Sequence, residues 1–485
     1  MASSKLYTSK VNGESIIQTW QTTGVYEFDI DSEAPLYSID TPPPTTSGLL
    51  HLGHVYSYTQ TDAIARFWRM KGYNVYYPMG WDDNGLPTER LTERRLNIRA
   101  VDVGRQEFIK RCLEVSEKTE REYENLWKRI GLSVDWRYTY RTIDDSSRQI
   151  AQFSFIDLYN KQLLYREAAP AIWNPEMQTA IAQAELADLE REALFVTIQF
   201  ELEDGTSLPI ATTRPELLPA CVAVFIHPAD ARCQQLVGKQ VYTPLFRKLV
   251  PILADEKVEQ DKGTGIVMCC TFGDVTDIEW WRKYNLPLAK VLERDGTLND
   301  LAGAYAGLKA AQARQQIIQE LRARKLVLNE VTITQSVRVH ERDDTPVEYL
   351  IIPQWFIKTL EFKDRYLEVA DQLTWHPDYM KSRYIAWVES LSWDWCISRQ
   401  RYFGIPFPLW YSKRPGEEGK LILADPKDLP VDPLFDLPKG YSRDEVEPDY
   451  DVMDTWATSA LSPQASCRGN TRTHENRAYA VASII

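Results

Sequence analysis

Thr41-Pro-Pro-Pro-Thr-Thr-Ser-Gly-Leu-Leu-His-Leu-Gly-His54 is the stretch that decides the fold. The mostly apolar residues 36–39 precede it and predict a β-strand, and residues 53–70 predict a helix. A second strand is predicted at residues 74–77. Because a strand, a helix and a strand in this order are typical of a βαβ unit, the sequence predicts an α/β fold with a parallel sheet.

The turn between the first strand and the helix is suited to hold a phosphate. Backbone N–H groups at a helix start are free to donate, and Gly53 lets a ligand approach the backbone closely. His51 and His54 could donate hydrogen bonds to phosphate oxygens as negative charge builds up in a transition state. The pattern indicates nucleotidyl transfer from ATP, and two plain surface histidines are the alternative. Because the sequence has no G-x-x-x-x-G-K-[ST] loop, ATP would bind without a Walker lysine.

A second candidate stretch, Pro78-Met-Gly-Trp-Asp-Asp-Asn-Gly-Leu-Pro-Thr-Glu89, follows the second predicted strand. The carboxyl ends of neighbouring parallel strands meet at one edge of a sheet, where ligands bind. Asp82 could hold an ammonium group through a charge-assisted hydrogen bond, and a small amino-acid substrate would supply that group. Taken alone, Asp-Asp-Asn-Gly is also the composition of an ordinary turn.

Composition bounds the class of protein. The 485 residues are 44% apolar and 26% charged, which is typical of a globular chain of about three domains and excludes disorder for most of it. The 69 acidic and 56 basic residues give a net charge of −13, the opposite of the basic balance of many nucleic-acid binders. Arg90, Arg94, Arg95 and Arg99 form one basic stretch, which is either a local nucleic-acid contact or a solvated helix face.

The sequence also indicates the compartment. No apolar run approaches the roughly 18 residues of a membrane helix, and the first residues lack a basic segment followed by an apolar one. We therefore expect a cytoplasmic protein with no membrane partner. The seven cysteines show no CxxC pair and no Cys/His spacing suited to zinc, so we expect reduced thiols and no protein-bound metal.

The pattern of strands and helices changes twice along the chain. Short alternating strands with turn signals begin near residue 193, as in residues 195–202 followed by Glu203-Asp-Gly-Thr206, and helical patterns return after residue 345. Together with the family resemblance described below, this pattern predicts five segments: an N-terminal extension (1–35), the first half of a catalytic domain (36–190), an inserted β-rich domain (191–344), the second half of the catalytic domain (345–464) and an atypical tail (465–485).

Four spaced motifs resemble one family. They are the His-x-Gly-His box at 51–54, the GWDDNGLPTE segment at 80–89, WDWCISRQR at 393–401 and DVMDTW at 451–456. Together, and in this order, they resemble the class I aminoacyl-tRNA synthetases and, among them, the valyl enzymes. The resemblance runs from about Leu36 to Gln464. The three prolines before the box and the GWDDNGLPTE wording favour the valyl enzymes over their isoleucyl and leucyl relatives.

The resemblance implies a fold, substrates and roles. The fold would be a Rossmann-like parallel nucleotide-binding sheet split by a β-rich editing domain, in a protein that is a monomer. The substrates would be valine, ATP with its Mg²⁺ and the tRNA for valine. The resemblance gives each candidate residue a role: His51 and His54 stabilise the α-phosphate of ATP, Thr45 and Gly53 line the nucleotide, Pro44, Val452 and Trp456 form walls of the amino-acid pocket, and Asp82 binds the ammonium.

A second site follows from the limits of such a pocket. It can exclude isoleucine by size but cannot strongly reject threonine, which matches valine in shape. Ala211-Thr-Thr-Arg-Pro-Glu216, Lys262-Gly-Thr-Gly265 and Thr271-Phe-Gly-Asp-Val-Thr-Asp277 resemble the editing site of the family. The implied roles are these: Thr212, Thr213 and Thr264 supply hydroxyls around the terminal adenosine, Asp274 and Asp277 hold the ammonium or orient water, and Arg214 or Lys262 lies near phosphate or carboxylate. Each residue alone also has an ordinary structural interpretation, since a threonine pair suits any strand.

Two departures from the family limit what the resemblance implies. A lysine-rich KMSKS loop is absent from the sequence, and Met380-Lys-Ser-Arg383 shares its letters but precedes the Trp393 motif. No segment matches the helical domain that reads the anticodon, and residues 465–485 match nothing expected there. We therefore expect a C-terminally truncated chain with weak or undetectable valine activation, no efficient transfer to tRNA and a disordered tail after Gln464.

Three alternatives to a valine–tRNA ligase stay open at this point. The first is an editing-only deacylase of misacylated tRNA, which loss of the KMSKS loop favours and the intact His-x-Gly-His box opposes. The second is a small-molecule nucleotidyltransferase, in which the editing-like insert has no purpose. The third is a tRNA-binding remnant without activity.

Overall fold

The computed structural model describes residues 9–341 and 343–468. Within them the α-helices are, in chain order, α1 (Ser9–Thr23), α2 (Leu52–Met70), α3 (Leu86–Leu96), α4 (Ala100–Val103), α5 (Arg105–Ile130), α6 (Asp145–Asn160), α7 (Cys233–Leu236), α8 (Val275–Lys283), α9 (Ala310–Ala323), α10 (Lys363–Gln372), α11 (Met380–Ser390), α12 (Thr455–Ser459) and α13 (Ser462–Arg468).

The β-strands of the same residues are β1 (Leu36–Ser38), β2 (Asn74–Tyr76), β3 (Gly80–Trp81), β4 (Tyr140–Arg141), β5 (Leu164–Asn174), β6 (Thr179–Ala180), β7 (Leu186–Leu202), β8 (Ser207–Thr212), β9 (Cys221–Ile226), β10 (Gln240–Tyr242), β11 (Leu249–Ala254), β12 (Ile266–Cys270), β13 (Val327–His340), β14 (Glu348–Ile357), β15 (Trp395–Cys396), β16 (Ser398–Arg399), β17 (Leu409–Ser412), β18 (Leu421–Leu423), β19 (Val446–Pro448) and β20 (Val452–Met453). The predicted mixed α/β class is confirmed.

The chain forms two compact units. The first unit consists of the described residues before Tyr165 and after Cys396, and the second unit is Tyr165–Cys396. The predicted insert, 191–344, lies within the second unit. Residues 345–396, which the sequence analysis assigns to the second half of the catalytic domain, also belong to the second unit, because β14 and β15 join β5 and β6 in one sheet.

The first unit contains two short parallel pairs among the residues before Tyr165, and its antiparallel pairs, β16–β20, β17–β18 and β17–β19, lie after Cys396. β1 pairs with β2 in parallel, Leu36 opposite Asn74 and Ser38 opposite Tyr76, and α2 connects them. β3 pairs in parallel with β4. The predicted strand, helix and strand around the proline-rich stretch are therefore confirmed to within one residue at their ends.

The core of the first unit includes every second residue of a segment, residues 75–81, that is buried throughout. Val75, Tyr77, Met79 and Trp81 lie at every second position and are at most 2% exposed. They pack in one cluster with Trp127 of α5, which is fully buried. Each such side chain contributes about 1.5–3 kcal/mol by leaving water, so this cluster anchors the strands that carry both motifs.

The second unit contains the larger sheet. Its strand order is β12-β9-β11-β10-β7-β13, and β8 also pairs with β7. The long strands β7 and β13 are antiparallel, with Leu186 opposite His340 and Phe195 opposite Val331. The predicted turn at 203–206 is confirmed, since the Leu202 N–H donates to the Thr206 carbonyl at 2.9 Å.

The core of this sheet lies on one face of β7. Val196, Ile198, Phe200 and Leu202 are at most 3% exposed and belong to one buried cluster, while the residues between them are half-buried. This alternation is typical of a strand with one face on the core.

Two expectations from composition concern the cysteine thiols and membrane-spanning helices. Cys112, Cys221, Cys269, Cys270 and Cys467 are buried free thiols, and Cys396 is a half-buried one. Among residues 9–341 and 343–468, no helix combines the length and apolar character needed to cross a membrane.

The end of the described chain differs from the expectation. The sequence predicts disorder after Gln464, but α13 continues through Arg468, and Ala465, Ser466 and Cys467 are buried. The reason is packing: Ala465 joins a cluster with Tyr140 and Ile150, and Cys467 joins one with Phe28 and Tyr76. The rest of the predicted tail, 469–485, lies outside the described residues.

Candidate active sites

His51 and His54 stand at the start of α2 as one hydrogen-bonded pair. His51 is the N-cap residue, and its Nδ1 accepts a hydrogen bond from the backbone N–H of Gly53 at 3.1 Å. The Nδ1 of His54 accepts one from the backbone N–H of His51 at 3.3 Å. These bonds satisfy donors that a helix start leaves free, and the two ring centroids lie 4.0 Å apart.

The hydrogen bonds at Nδ1 decide what each imidazole can offer a ligand. Since Nδ1 is the acceptor in both rings, the proton of each neutral ring lies on Nε2, which is then a donor. Burial, and secondarily the neighbouring His51, lowers the pKa of His54, so this ring is neutral at neutral pH. The pair can therefore donate two N–H groups to an anion.

Gly53 has a packing role that its sequence context did not reveal. An ideal Cβ at this position would lie 2.9 Å from Cε1 and 3.0 Å from Nδ1 of His51. The sequence predicts a glycine here for the close approach of a ligand. The structure adds that glycine leaves room for the imidazole to fold back onto the helix start.

Backbone hydrogen bonds join the proline-rich stretch to the second motif. Thr45 and Asp82 form an isolated parallel bridge. The Asp82 N–H donates to the Pro44 carbonyl at 3.0 Å, and the Thr46 N–H donates to the Asp82 carbonyl at 2.9 Å. Pro44 is buried, and Thr45 and Asp82 are half-buried. The structure thus brings Pro44, Thr45 and Asp82 together.

The two adjacent aspartates differ in access. The Thr142 hydroxyl donates to Oδ1 of Asp82 at 3.1 Å and lies 3.3 Å from Oδ1 of Asp83. Asp82 is half-buried, whereas Asp83 is 0% exposed. Of the two carboxylates, Asp82 is therefore the one that a ligand can reach.

Asp83 belongs to a buried ionic cluster that sequence reasoning missed. The guanidinium of Arg141 lies 3.1 Å from Oδ2 of Asp83 and 2.9 Å from Oε1 of Glu120. Burial, and then the charge of Asp83, raises the pKa of Glu120 to about 8. The cluster therefore holds a proton at neutral pH. Its members come from three separate segments, so no local pattern could have predicted it.

The second motif contacts a segment far along the chain. Gly85 has φ +73°, and an ideal Cβ there would lie 2.4 Å from Cγ2 of Thr455. The Asn84 side-chain amide donates to the Thr458 hydroxyl at 2.9 Å. Residues 82–89 and 451–458 therefore pack directly against each other within the first unit, and only a glycine at 85 permits this approach.

The predicted walls of the amino-acid pocket have different surroundings. Val452 is 1% exposed, and an ideal Cβ at Gly404 would lie 2.7 Å from its Cγ2. Trp456 is 52% exposed, and its backbone N–H donates to Oδ1 of Asp454 at 3.1 Å. Val452 is thus fixed in the interior, whereas the Trp456 ring is open to contact.

Two further contacts fix this region and were not predicted. Arg399 and Asp454 form a buried ion pair at 2.8 Å. Oε1 of Glu89 accepts a hydrogen bond from the backbone N–H of Phe403 at 2.7 Å. Arg399 and Glu89 lie within the quoted motifs, so the sequence indicated that these residues matter. It did not indicate their partners, because the partners lie in other segments of the chain.

In the second unit, the 211–216 stretch is centred on Arg214. The Thr212 hydroxyl oxygen accepts a hydrogen bond from the backbone N–H of Arg214 at 3.0 Å, and Thr213 is half-buried. Nε of Arg214 donates to Glu216 at 3.0 Å, and its NH2 donates to both carboxylate oxygens of Glu348 at 2.9 Å. The guanidinium thus lies against two protein carboxylates.

The 271–277 stretch surrounds two aspartates. The Asp274 side chain caps α8 by accepting from the Asp277 N–H at 2.9 Å, and it is exposed. Asp277 is 6% exposed, and its Oδ2 accepts from the Gly273 N–H at 2.8 Å. Burial, and then the charge of Asp274, raises the pKa of Asp277 well above its usual value. A bound ammonium would favour the ionised carboxylate.

The 262–265 stretch packs against the 211–216 stretch. Gly263 has φ +60°, and an ideal Cβ there would lie 2.8 Å from the Cβ of Ala211. The Lys262 ammonium is exposed, 3.5 Å from Glu259, and Thr264 is half-buried. The structure thus brings 211–216 together with 262–265 through Gly263, and with 271–277 through Arg214, whose NH1 donates to the Gly273 carbonyl.

Within residues 9–341 and 343–468, no three or more His, Cys, Asp or Glu side chains are grouped so that they could hold a metal ion.

Comparison with known proteins gives the family. The family model described as tRNA synthetases class I (I, L, M and V) matches residues 15–485. A valine–tRNA ligase of Rickettsia conorii is 53% identical over 467 residues, which are 96% of this chain and 58% of the relative. One of Rickettsia felis is 49% identical over 516 residues, covering 96% of this chain and 60% of the relative.

A solved structure is also similar. It is the ternary complex of the leucyl enzyme LeuRS of Agrobacterium radiobacter K84 with tRNA and LeuAMS, with a TM-score of 0.47 and 20% identity, over 95% of this chain and 60% of that chain. The chain spans 58% of the length of the Rickettsia conorii relative. From the match of the family model to residues 15–485, the chain belongs to the class I tRNA synthetases of the I, L, M and V group.

Proposed function

We propose that this chain carries the valine-activating site and the editing site of a valine–tRNA ligase. The observation that carries the proposal is the histidine pair, in which two imidazoles use Nδ1 as acceptor and keep Nε2 as a donor. The identity to valine–tRNA ligases over 96% of this chain supports valine as the amino acid. Valine, ATP with its Mg²⁺ and the tRNA for valine are the proposed substrates.

The proposed chemistry of the first unit is adenylate formation. The carboxylate of valine attacks the α-phosphorus of ATP, a new P–O bond forms, and the bond to pyrophosphate breaks. Nε2–H groups of His51 and His54 donate to the α-phosphate oxygens, where negative charge grows, and such donors are each worth about 10²- to 10³-fold in rate. Asp82 binds the valine ammonium, and Pro44, Val452 and Trp456 limit the pocket.

The remaining roles follow from the same proposal. Thr45 and Gly53 line the nucleotide beside the histidine pair. The parallel pairs β1–β2 and β3–β4 are proposed as parts of a Rossmann-like nucleotide-binding sheet. The β-rich second unit is proposed to contain the inserted editing domain, which supports hydrolysis of threonine mischarged onto the tRNA.

The proposed editing site lies around Asp277. Thr212, Thr213 and Thr264 hold the terminal adenosine, and Asp274 and Asp277 hold the ammonium of threonine or orient the attacking water. Lys262 is exposed and suited to a phosphate, whereas Arg214 is held against protein carboxylates. Hydrolysis adds water across the ester, releasing threonine and the free 3′ end of the tRNA.

Isotope exchange between pyrophosphate and ATP tests the activating function. We expect the 485-residue chain to exchange faster with valine than with isoleucine or with no amino acid. The absolute rate should be low, because these 485 residues hold the two histidines but no lysine-rich KMSKS segment for the pyrophosphate side. Exchange that is independent of valine, or faster with another amino acid, would contradict the proposal.

A further inference from the structure

Four charged side chains of the second unit form one chain of ion pairs. Arg314 donates to both oxygens of Glu216 at 2.8 and 2.7 Å. Glu216 also accepts from Nε of Arg214 at 3.0 Å, and the NH2 of Arg214 donates to both oxygens of Glu348 at 2.9 Å. We call Arg314, Glu216, Arg214 and Glu348 the Arg214 network.

The two glutamates of the network are buried, the two arginines are half-buried, and the network is balanced in charge. Glu216 is 0% exposed and Glu348 is 8% exposed. Burial alone would raise the pKa of Glu216, but hydrogen bonds from Arg314 and the charge of Arg214 hold it below its usual value. With two arginines hydrogen-bonded to two glutamates, each charged side chain has a partner, which is the condition for keeping charges away from water.

The network ends on the turn that carries the two aspartates. NH1 of Arg214 donates to the Gly273 carbonyl at 3.2 Å. The N–H of the same glycine donates to Oδ2 of Asp277 at 2.8 Å. An ideal Cβ at Gly273 would lie 2.8 Å from that oxygen, so any side chain at this position would displace the Asp277 carboxylate. Arg214 and Asp277 therefore hold the same residue from its two sides.

We propose that Glu348 is a positioning residue for the editing site: together with Glu216 it aims the Arg214 fork at the Gly273 carbonyl and so fixes the Asp277 carboxylate. This inference rests on the proposed editing function. The planar guanidinium forms several hydrogen bonds in fixed directions, so anchoring two of its edges determines where the third points. A displacement of about 1 Å at a reacting group can cost about 10²-fold in rate.

Hydrogen exchange tests the positioning independently of activity. In Glu348→Gln, amide exchange in residues 271–277 should be about tenfold faster, while β7 and β13 keep their protection. Glu330→Gln is the matched control, because Glu330 also accepts two hydrogen bonds from one arginine, Arg322, at 2.7 and 2.8 Å in the second unit but is exposed. Unchanged exchange at 271–277 in Glu348→Gln would overturn the proposal.

A second variant separates loss of positioning from destabilisation by loss of a buried charge. Glu348→Asp keeps the charge but withdraws the carboxylate by about 1.5 Å, one C–C bond length. If Glu348 only balances charge, this variant should behave like the unmodified chain. If it positions Arg214, exchange at 271–277 should again increase.

Deacylation of the tRNA for valine that carries threonine tests whether the Arg214 network affects the proposed editing site. Glu348→Gln should lower kcat by about 10²-fold with KM little changed, since the tRNA contacts are intact. The same substitution in an Asp277→Asn background should have little further effect, because it acts through Asp277. Full additivity of the two substitutions would contradict the positioning role. No hydrolysis by the unmodified chain would instead contradict the proposed editing function. Failure of the positioning role and failure of the editing function therefore give different results.

Discussion

At the scale of single residues, His51 combines a structural and a proposed chemical task. Its Nδ1 caps α2 at 3.1 Å from the Gly53 nitrogen, and its Nε2 is left to donate to phosphate. These tasks can be separated because asparagine also caps helices well, whereas alanine does not.

The first prediction compares two substitutions of His51. His51→Ala should lose about 1 kcal/mol of stability, and His51→Asn should lose little. Both should weaken binding of a non-hydrolysable valyl-adenylate analogue about tenfold or more, because a hydrogen bond to a charged group is worth about 1.5–3 kcal/mol. Titration calorimetry and urea unfolding measure the two effects. If His51→Asn binds the analogue with the same affinity as the unmodified chain, His51 does not donate a hydrogen bond to the phosphate.

The second prediction concerns the buried proton on Glu120. Its pKa of about 8 in the folded chain exceeds the ordinary value of 4.5, so the folded state favours the protonated form. The stability that comes from this proton is full below about pH 4.5, is lost progressively as pH rises from about 4.5 to about 8, and does not change further above that pH. Glu120→Gln cannot ionise, so it should lose less stability than the unmodified chain as pH rises from about 5 to about 8, by up to a few kcal/mol.

The control for this experiment lies on the same helix. Glu117 is an exposed residue of α5 that pairs with Arg121. Glu117→Gln should leave the pH dependence of the urea midpoint unchanged. Equal pH dependence in Glu120→Gln and the unmodified chain would show that Glu120 does not hold the proton.

At the scale of elements, local patterns predicted what depends on neighbours along the chain. Apolar periodicity located β1, α2 and β2 to within one residue at their ends, and a turn signal located the hairpin between β7 and β8. The motifs also gave the residues that meet at the start of α2. Contacts between distant segments were out of reach, because nothing near Gly85 in the sequence indicates that its neighbour is Thr455.

Contacts between distant segments also decide the surroundings of residues 345–396 and 465–468. Residues 345–396 belong to the second unit because β14 pairs within its sheet, a partnership that sequence periodicity does not reveal. Residues 465–468 are helical because Ala465 and Cys467 find apolar partners among residues before position 151. In both cases tertiary packing decides the structure.

The third prediction tests the close approach of α3 and α12. Gly85 and Gly104 both precede helices and have φ of +73° and +78°, but only Gly85 has a close neighbour. Gly104→Ala should cost about 1–2 kcal/mol from backbone strain, and Gly85→Ala about 1–3 kcal/mol more from overpacking against Thr455. Hydrogen exchange of peptides within residues 74–96 during urea unfolding measures the difference.

A double substitution isolates the steric cause. Thr455→Ser removes Cγ2, and the next atom of that side chain, Cβ, lies 3.9 Å from the ideal Cβ at Gly85. Gly85→Ala combined with Thr455→Ser should therefore resemble Gly104→Ala. If the combination is as unstable as Gly85→Ala alone, the contact with Thr455 is not the cause.

At the scale of the whole molecule, the two proposed sites lie in different compact units. The histidine pair belongs to the first unit, and Asp277 belongs to the second. Substitutions in one should therefore spare the other. His51→Asn should leave deacylation unchanged, and Asp277→Ala should leave binding of the adenylate analogue unchanged.

Hydrolysis of threonine from the tRNA for valine by the 485-residue chain tests the account most directly. Threonyl-tRNA should be hydrolysed faster than the same tRNA charged with valine. Asp277→Ala should slow this hydrolysis by orders of magnitude, because the buried carboxylate that is proposed to hold the threonine ammonium is gone. Deacylation that proceeds equally well in Asp277→Ala, or that does not distinguish threonine from valine, would contradict the account.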